Sequence, residues 1–503
     1  MGAEAREKLE AIAAELHDRE SVLAGSRRER ERVEKVRGLA EETVGSSRLL
    51  TVPLLSWELR GVELYPRPIS LAVAPYVESS SLEAPWVRME ERAEREGKIV
   101  VAREPEDPDD IKYLALEAAR DGAVGLIVES PSSPRAVVTT GHWGFSYHAG
   151  SPSPIPIVVV EEGYSSRAGS RISMNVETRV RESHGYIVEA GTLGKADALV
   201  LFGAHHDKWY SGFNDNTVGL AQAMVAARRL LERDLPVRFV SFTAEEHGAP
   251  GYASWYWAWG SKLYAGGLAE IGAHRGTVYV NFDMAALGEL TFSGSPQYSV
   301  GMRERCCECP ECDSFSFASQ GFQTLCFHSL WGEKARRIYH TPLDLPEASD
   351  METAAEAVEL AIRSVSTGPR WNVLENFIAS VLGRGPLEAR AALLSIESMA
   401  RRTGWESLYP ALARSFLKAV HFGTYLGESH RLEALWFPEL TAYLKLRTDV
   451  EGGRAPSEAW VAGEERLLYA VGRGNKVSLE HQLKANVRRL REEVESLERE
   501  LLR

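Results

Sequence analysis

Residues 1–44 place apolar side chains at helical spacing. Leu9, Ile12 and Leu16 share one face, and after a break near Ala24–Ser26 so do Val33, Val36, Ala40 and Val44. The run RRERERVEKVR interleaves acids with bases, so it reads as a solvated helical face and not as a nucleic-acid patch. From about residue 45 the texture changes to short β-like runs (LLTVPLL, GKIVVA, AVGLIVE, IPIVVVE, SRISMNVET) bounded by Pro, Ser and Gly clusters. One helix, DDIKYLALEAARDG, sits among them. From 197 strands and helices alternate: ALVLFGA, VGLAQAMVAARRLLER, VRFVSFTA, YASWYWAWGSKLYAGG, TVYVNFDMAA, ELTFSG, TLCFHS and the helix DMETAAEAVELAIRSVS. Such alternation predicts an α/β unit with a mostly parallel sheet covered by helices on both faces.

After Gly368-Pro369 the chain reads as helical to its end. Its last segment spaces Leu483, Val487, Leu490, Val494, Leu497 and Leu501 alternately by four and three, a coiled-coil seam about three heptads long. That seam pairs either between subunits or with another helix of the same chain. The division that results is a helical segment over 1–55, a mostly β module over 56–170, an α/β unit over 171–368 and a helical region over 369–503.

A length of 503 residues fits about three domains. With 44% hydrophobic and 26% charged residues the chain has ordinary globular composition, not that of a disordered or collagen-like chain. No run of about 18 apolar residues marks a membrane span, and the charged N-terminus lacks the apolar core of a secretory signal, so a cytoplasmic location is expected. The net charge of −13 argues against nucleic acid or an anionic membrane as partner. All five Cys fall between Cys306 and Cys326, which excludes a chain-wide disulfide framework.

Candidate chemistry lies at the C-terminal ends of the predicted strands, where open parallel sheets place their sites. ALVLFGA runs into His205-His206-Asp207, the loop SGFNDN carries Asp215, VRFVSFTA ends in Glu245-Glu246, TVYVNFD ends in Asp283, and YHTPLD carries His340. Imidazole and carboxylate ligands suit zinc, and two His with three carboxylates exceed what one tetrahedral ion needs. They fit two ions about 3.5–4 Å apart with one bridging carboxylate. The Glu pair divides naturally into a ligand and a general base, and Asp207 is placed to fix the tautomer of His205. The sequence has no HExxH, GxSxG, P-loop or GxGxxG motif, which removes common competing enzyme classes.

Taken in order, GAHHDKWYSGFNDN, FTAEEHG, VNFDMA and YHTPLD resemble the di-zinc exopeptidases of the aminopeptidase and glutamate-carboxypeptidase type, a fold family that also includes the metal-free transferrin receptor. The resemblance covers roughly 196–367. It implies that His205 and Asp283 bind one zinc, that Glu246 and His340 bind the other, and that Asp215 bridges them. It further implies Glu245 as general base and Tyr339 as a hydroxyl that steadies the oxyanion. Other divalent metals could replace the two Zn²⁺. GKIVVAREPEDPDDIKYLALEAARDGAVGLIVES and the later SPIPIVVVEEGYSSRAG resemble, more loosely, the protease-associated domain often inserted in these enzymes over the active-site edge.

The expected activity is hydrolysis of peptides from the N-terminus. The alternatives are a carboxypeptidase of the glutamate-carboxypeptidase type, a single-zinc transferase such as a glutaminyl cyclase, and a non-catalytic receptor-like module, which would have lost ligands. Asp313, Phe315 and Phe317 are candidates for the substrate pocket, with helix packing as the competing reading. His206 and His247 read as structural, and the run Trp255, Tyr256, Trp257 as core or interface anchors. Cys306, Cys307, Cys309 and Cys312 form either a disulfide or free thiols, or else a structural metal site. The helical tail and the resemblance together point to a homodimer or larger assembly.

Overall fold

The computed structural model describes residues 3–140, 150–194, 199–252, 257–298, 308–424, 429–452, 458–463, 466–470 and 476–501. Two strands far longer than the rest organise it: β1 (Ser47–Tyr65) runs antiparallel to β7 (Arg171–Gly191), from Ser47 opposite Ala190 to Tyr65 opposite Ser173. Between them lie β2 (Leu71–Val73), β3 (Ser80–Arg88), β4 (Ile99–Arg103), the helix Ile111–Arg120, β5 (Gly125–Ser130) and β6 (Ile157–Glu161). β4, β5 and β6 are parallel and buried along nearly their whole length. Their Val/Ile runs show no alternation because helix and loops cover both faces. This unit has its own core, centred on Ile99, Ile127 and Val158.

The far end of the β1–β7 ribbon joins the second unit. β8 (Leu199–His205), β9 (Val237–Phe242), β10 (Thr277–Asp283) and β12 (Gln323–His328) are parallel, in the order β12-β10-β8-β9. β7 closes one side antiparallel to β9, and β11 (Thr291–Gly294) closes the other antiparallel to β12. This is the α/β architecture expected. The helix Val218–Leu231 packs against it so closely that a Cβ on Gly219 would sit 2.0 Å from Asn216 Oδ1 and 2.7 Å from Phe282 O. Only glycine fits there without displacing Asn216, which neighbours Asp215.

The N-terminal helices Ala3–Leu16 and Arg27–Thr43 seal the same core with the faces expected from their spacing. The break between them is a capping arrangement. Ser26 Oγ accepts from the amide of Glu29, and Glu29 Oε2 accepts from the amide of Gly25. Lys208, immediately after the His-His-Asp run, ties this N-terminal segment to the sheet edge. Its buried ammonium donates to Asp18 Oδ1 and to the carbonyls of Asp18, Glu20, Tyr210 and Ser211. The aromatic run differs from expectation: the helix is Trp259–Glu270, and Trp255 and Tyr256 lie outside the described residues.

The C-terminal region is not wholly helical. Four antiparallel strands, β13 (Leu417–Thr424), β14 (Ser429–Trp436), β15 (Glu458–Ala462) and β16 (Arg466–Ala470), form a sheet in the order β14-β13-β15-β16. Helices Trp371–Leu382, Leu387–Thr403, Trp405–Phe416, Pro438–Glu451 and Lys476–Leu501 surround it. The apolar seam of the last helix does not need a second chain. Leu490, Val494 and Leu497 are buried in a core shared with Ile396, Leu412 and Leu440 of its own chain. No helix among the described residues is long and apolar enough to cross a membrane.

Candidate metal centre

Three strand ends and two loops converge at the C-terminal edge of the parallel sheet. His205 is the last residue of β8 and Asp283 the last of β10, two neighbouring strands, so their side chains emerge side by side. Glu245 and Glu246 lie three and four residues past β9. Asp215 lies in the tight segment before the helix Val218–Leu231, where its peptide bond to Asn216 is cis. His340 follows the short helix Glu333–Ile338.

These groups close on one point. His205 Nε2 is 3.2 Å from Asp215 Oδ1 and 3.9 Å from Asp283 Oδ1. His340 Nε2 is 3.5 Å from Asp215 Oδ2 and 2.7 Å from Glu246 Oε2. Two triads capable of holding a metal ion result, His205–Asp215–Asp283 and Asp215–Glu246–His340, with Asp215 offering one oxygen to each. Glu245 belongs to neither, but its Oε2 is 3.8 Å from His205 Nε2.

Electrostatics show what the cluster can hold. Burial pushes the Glu245 carboxyl well above the usual carboxylate range, and Asp283, Asp313 and Glu246 add to the push against the pull of His205. Glu246 is raised by burial and by Asp215, Asp207 and Asp283. Asp215 is lowered despite burial, because His205 and His340 face it. His205 Nε2 and Glu246 Oε1 are buried and make no hydrogen bond to the described residues. Crowded, buried acceptors of this kind fit divalent cations, which satisfy them and cancel their repulsion.

Backbone groups orient the ligands. A carbonyl only accepts, so the Nδ1 of each candidate imidazole must donate: His205 to Asp207 O at 2.9 Å, and His340 to Ala136 O at 3.1 Å. Both Nε2 atoms are left facing the cluster with a lone pair. Asp207 thus fixes the tautomer of His205 through its carbonyl, whereas its carboxylate lies 3.9 Å from the ring. That carboxylate instead accepts from the amides of Glu245 (3.2 Å) and Glu246 (3.1 Å). Burial raises Asp207 to about 7.

The sequence did not single out Asp344. Its Oδ1 accepts from the amide and side chain of Asn214, and its Oδ2 from the amide of Asp215, so it pins the loop of the shared ligand. The signal was present, since Asp344 is the last residue of YHTPLD. His206 and His247 are structural, as expected. His206 bonds Ser241 Oγ and Glu29, and His247 bonds the hydroxyl of Tyr76. Burial lowers His247 to about 3, so it stays neutral.

A cavity of about 130 Å³ opens beside Glu245, Glu246 and His340. Tyr339 lines it and stacks on His340 with ring centroids 3.6 Å apart. Three parts of the chain contribute to the wall: Asp107, Asp109, Asp110 and Lys112 from the β4–β5 connection, Trp257 and Glu311 from the α/β unit, and His421 and Arg431 from the C-terminal sheet. The aromatic pocket candidates are not there. Phe317 stacks on Tyr279 at 3.9 Å in the core, and Phe315 packs among Leu374, Ile378 and Tyr409. The helix Asp313–Ala318 turns both rings inward, so packing takes them. Asp313 is buried and does not line the cavity. Cys309 and Cys312 are buried thiols 2.7 Å apart, with Cys326 in the same apolar cluster. They form none of the metal-capable groups found among the described residues, and Cys306 and Cys307 lie outside those residues.

A parallel sheet with helices on its faces, ending in two carboxylate–imidazole triads that share an aspartate beside a spare glutamate, defines a metallopeptidase. Residues 188–307, which contain His205, Asp207, Asp215, Glu245, Glu246 and Asp283, match the model of Peptidase family M28. Among solved structures it is similar to BSAP, a zinc aminopeptidase from Bacillus subtilis (18% identity, 73% of this chain and 95% of that one, TM-score 0.56). It is also similar to an M28 peptidase precursor from Shewanella amazonensis (19% identity, 71% and 91%, TM-score 0.54). A third is an aminopeptidase from an Aneurinibacillus strain (19% identity, 73% and 94%, TM-score 0.50). No curated protein matches significantly.

Proposed function

We propose that this chain is a zinc-dependent aminopeptidase releasing N-terminal residues from peptides. The observation that carries the reading is the pair of triads joined at Asp215 with Glu245 beside them. His205 and Asp283 would hold one zinc, Glu246 and His340 the other, and Asp215 both. When bound, the pair supplies Lewis-acid polarisation of a peptide carbonyl and a water of lowered pKa.

The protein's own groups complete the chemistry. Glu245 takes the proton of the attacking water and returns it to the leaving amine. Tyr339 lines the cavity with its ring stacked on His340, and its hydroxyl would donate to the developing oxyanion. Asp207 keeps the Glu245–Glu246 backbone fixed so that the two side chains can take different roles.

The cavity wall supports the amino-terminal choice over a carboxypeptidase. Among the described lining residues, Asp107, Asp109, Asp110 and Glu311 outnumber Lys112 and Arg431, which suits a free α-ammonium better than a free carboxylate. The intact ligand set speaks against a non-catalytic module. We read the β2–β6 unit as the protease-associated insertion, the partners as peptides, and the assembly as a dimer or larger. A panel of peptides and amino-acid anilides with free and blocked termini tests the proposal. Cleavage should require a free N-terminus, and turnover indifferent to N-blocking would overturn it.

A further inference from the structure

His340 is the one candidate ligand whose hold comes from the other unit of the chain. Its ring Nδ1 donates to Ala136 O, and its own carbonyl accepts from the amide of Ala136 at 3.0 Å. This reciprocal pair joins residues 204 apart in sequence. Next to it, Arg135 Nη1 donates to Arg336 O (3.1 Å) and Tyr339 O (3.0 Å), the open carbonyls at the end of the helix Glu333–Ile338. Those carbonyls are the negative end of the helix, so a guanidinium there is doubly favoured.

Arg135 is itself held. Its side chain is 4% exposed, and Nε lies 2.6 Å from Glu104 Oε1, whose side chain is 5% exposed. The second oxygen of Glu104 accepts from Ser130 Oγ at 2.8 Å. The whole clamp therefore belongs to the β2–β6 unit. Against it, His340 adopts φ 56°, a left-handed backbone that is unfavourable for a non-glycine residue and persists only where the surroundings fix it. His205 needs no such help, because its tautomer is set by Asp207, two residues on.

We propose that Arg135, braced by Glu104, is a positioning residue for His340, so that the β2–β6 unit is a structural part of the metal centre and not only a cover over it. The inference rests on the metal-centre reading above. It makes the two metal positions unequal: the His205–Asp283 position depends on the α/β unit alone, and the Glu246–His340 position on both units.

The test is equilibrium Zn²⁺ binding to the metal-stripped full chain, measured by competition with a chromophoric chelator, for the wild type, Arg135→Ala, Arg135→Lys and Glu104→Gln. Arg135→Ala should leave one zinc at wild-type affinity and weaken the other about 10–100-fold. Arg135→Lys should recover part of that loss, since an ammonium can still reach one carbonyl. A merely structural role would lower thermal stability without this split between the two ions. If Arg135→Ala does not fold, Glu104→Gln, which keeps the guanidinium, should show the same split in milder form. Two ions bound with wild-type affinities by the folded variants would overturn the proposal. A wild-type chain that binds fewer than two zinc ions would instead overturn the metal centre itself.

Discussion

Glu245 and Glu246 are chemically identical neighbours, and only their surroundings separate them. Glu246 reaches His340 at 2.7 Å, while Glu245 lies outside both triads with its carboxylate 3.8 Å from His205. Glu245→Gln should therefore lower kcat by about 10²–10⁴, the range of general acid–base catalysis, while two zinc ions per chain remain by elemental analysis. Loss of a metal ion in that variant would make Glu245 a ligand and not a base. Away from the site, Glu308 is buried against Thr324 Oγ1 and Ser295 Oγ, and burial raises it to about 8. Its folded pKa exceeds the ordinary 4.5, so the fold keeps a proton that the unfolded chain has released. Its contribution to stability is consequently lost as pH rises through that window, with a slope of up to about 1.4 kcal/mol per pH unit. Glu308→Gln should remove this slope in urea unfolding at pH 5, 7 and 9; parallel curves for wild type and variant would show that Glu308 ionises freely in the fold.

Among the elements, the last helix, Lys476–Leu501, is the instructive one. Its four-three spacing states that an apolar stripe exists but not what covers it. The stripe is covered by the helices Leu387–Thr403, Trp405–Phe416 and Pro438–Glu451 of its own chain. Leu490 is 1% exposed, so Leu490→Ala should cost about 2–5 kcal/mol in unfolding free energy through transfer and cavity terms. Light scattering on the same variant should show an unchanged oligomeric state; dissociation would return the seam to an intermolecular role. The strands β13–β16 were missed for a related reason. LKAVHFGT and EAWVA are short, and each becomes a strand only by pairing with a segment elsewhere in the C-terminal region, which no local window reveals.

For the whole molecule, the β1–β7 ribbon is the member that ties the β2–β6 unit to the α/β sheet. It carries the β2–β6 unit at one end and the catalytic sheet at the other, so Arg135, Ala136 and the acids of 107–110 arrive at a fixed place. The site concentrates buried carboxylates, and cations bound there would act as ligands of the folded state only. Chelation should therefore lower the Tm, and added zinc should restore it in proportion to RT ln(1 + [Zn²⁺]/Kd), about 2.7 kcal/mol at a hundredfold excess over Kd. Scanning calorimetry with and without chelator checks this; an unchanged Tm would mean that the acids are satisfied without metal.

The parallel sheet and the convergence of His205, Asp215, Glu245, Glu246, Asp283 and His340 on one edge were legible from sequence. Strand periodicity is local, and strand ends in such a sheet must share a face. The faces of the N-terminal helices were legible for the same reason. Tertiary structure alone decided that Phe315 and Phe317 pack inward, that Asp207 serves His205 through its carbonyl, that Asp344 pins the shared ligand, and that the grip on His340 comes from Ala136. Each of these depends on which atom of a residue faces which partner, and a one-dimensional pattern carries residue types and spacings but not directions.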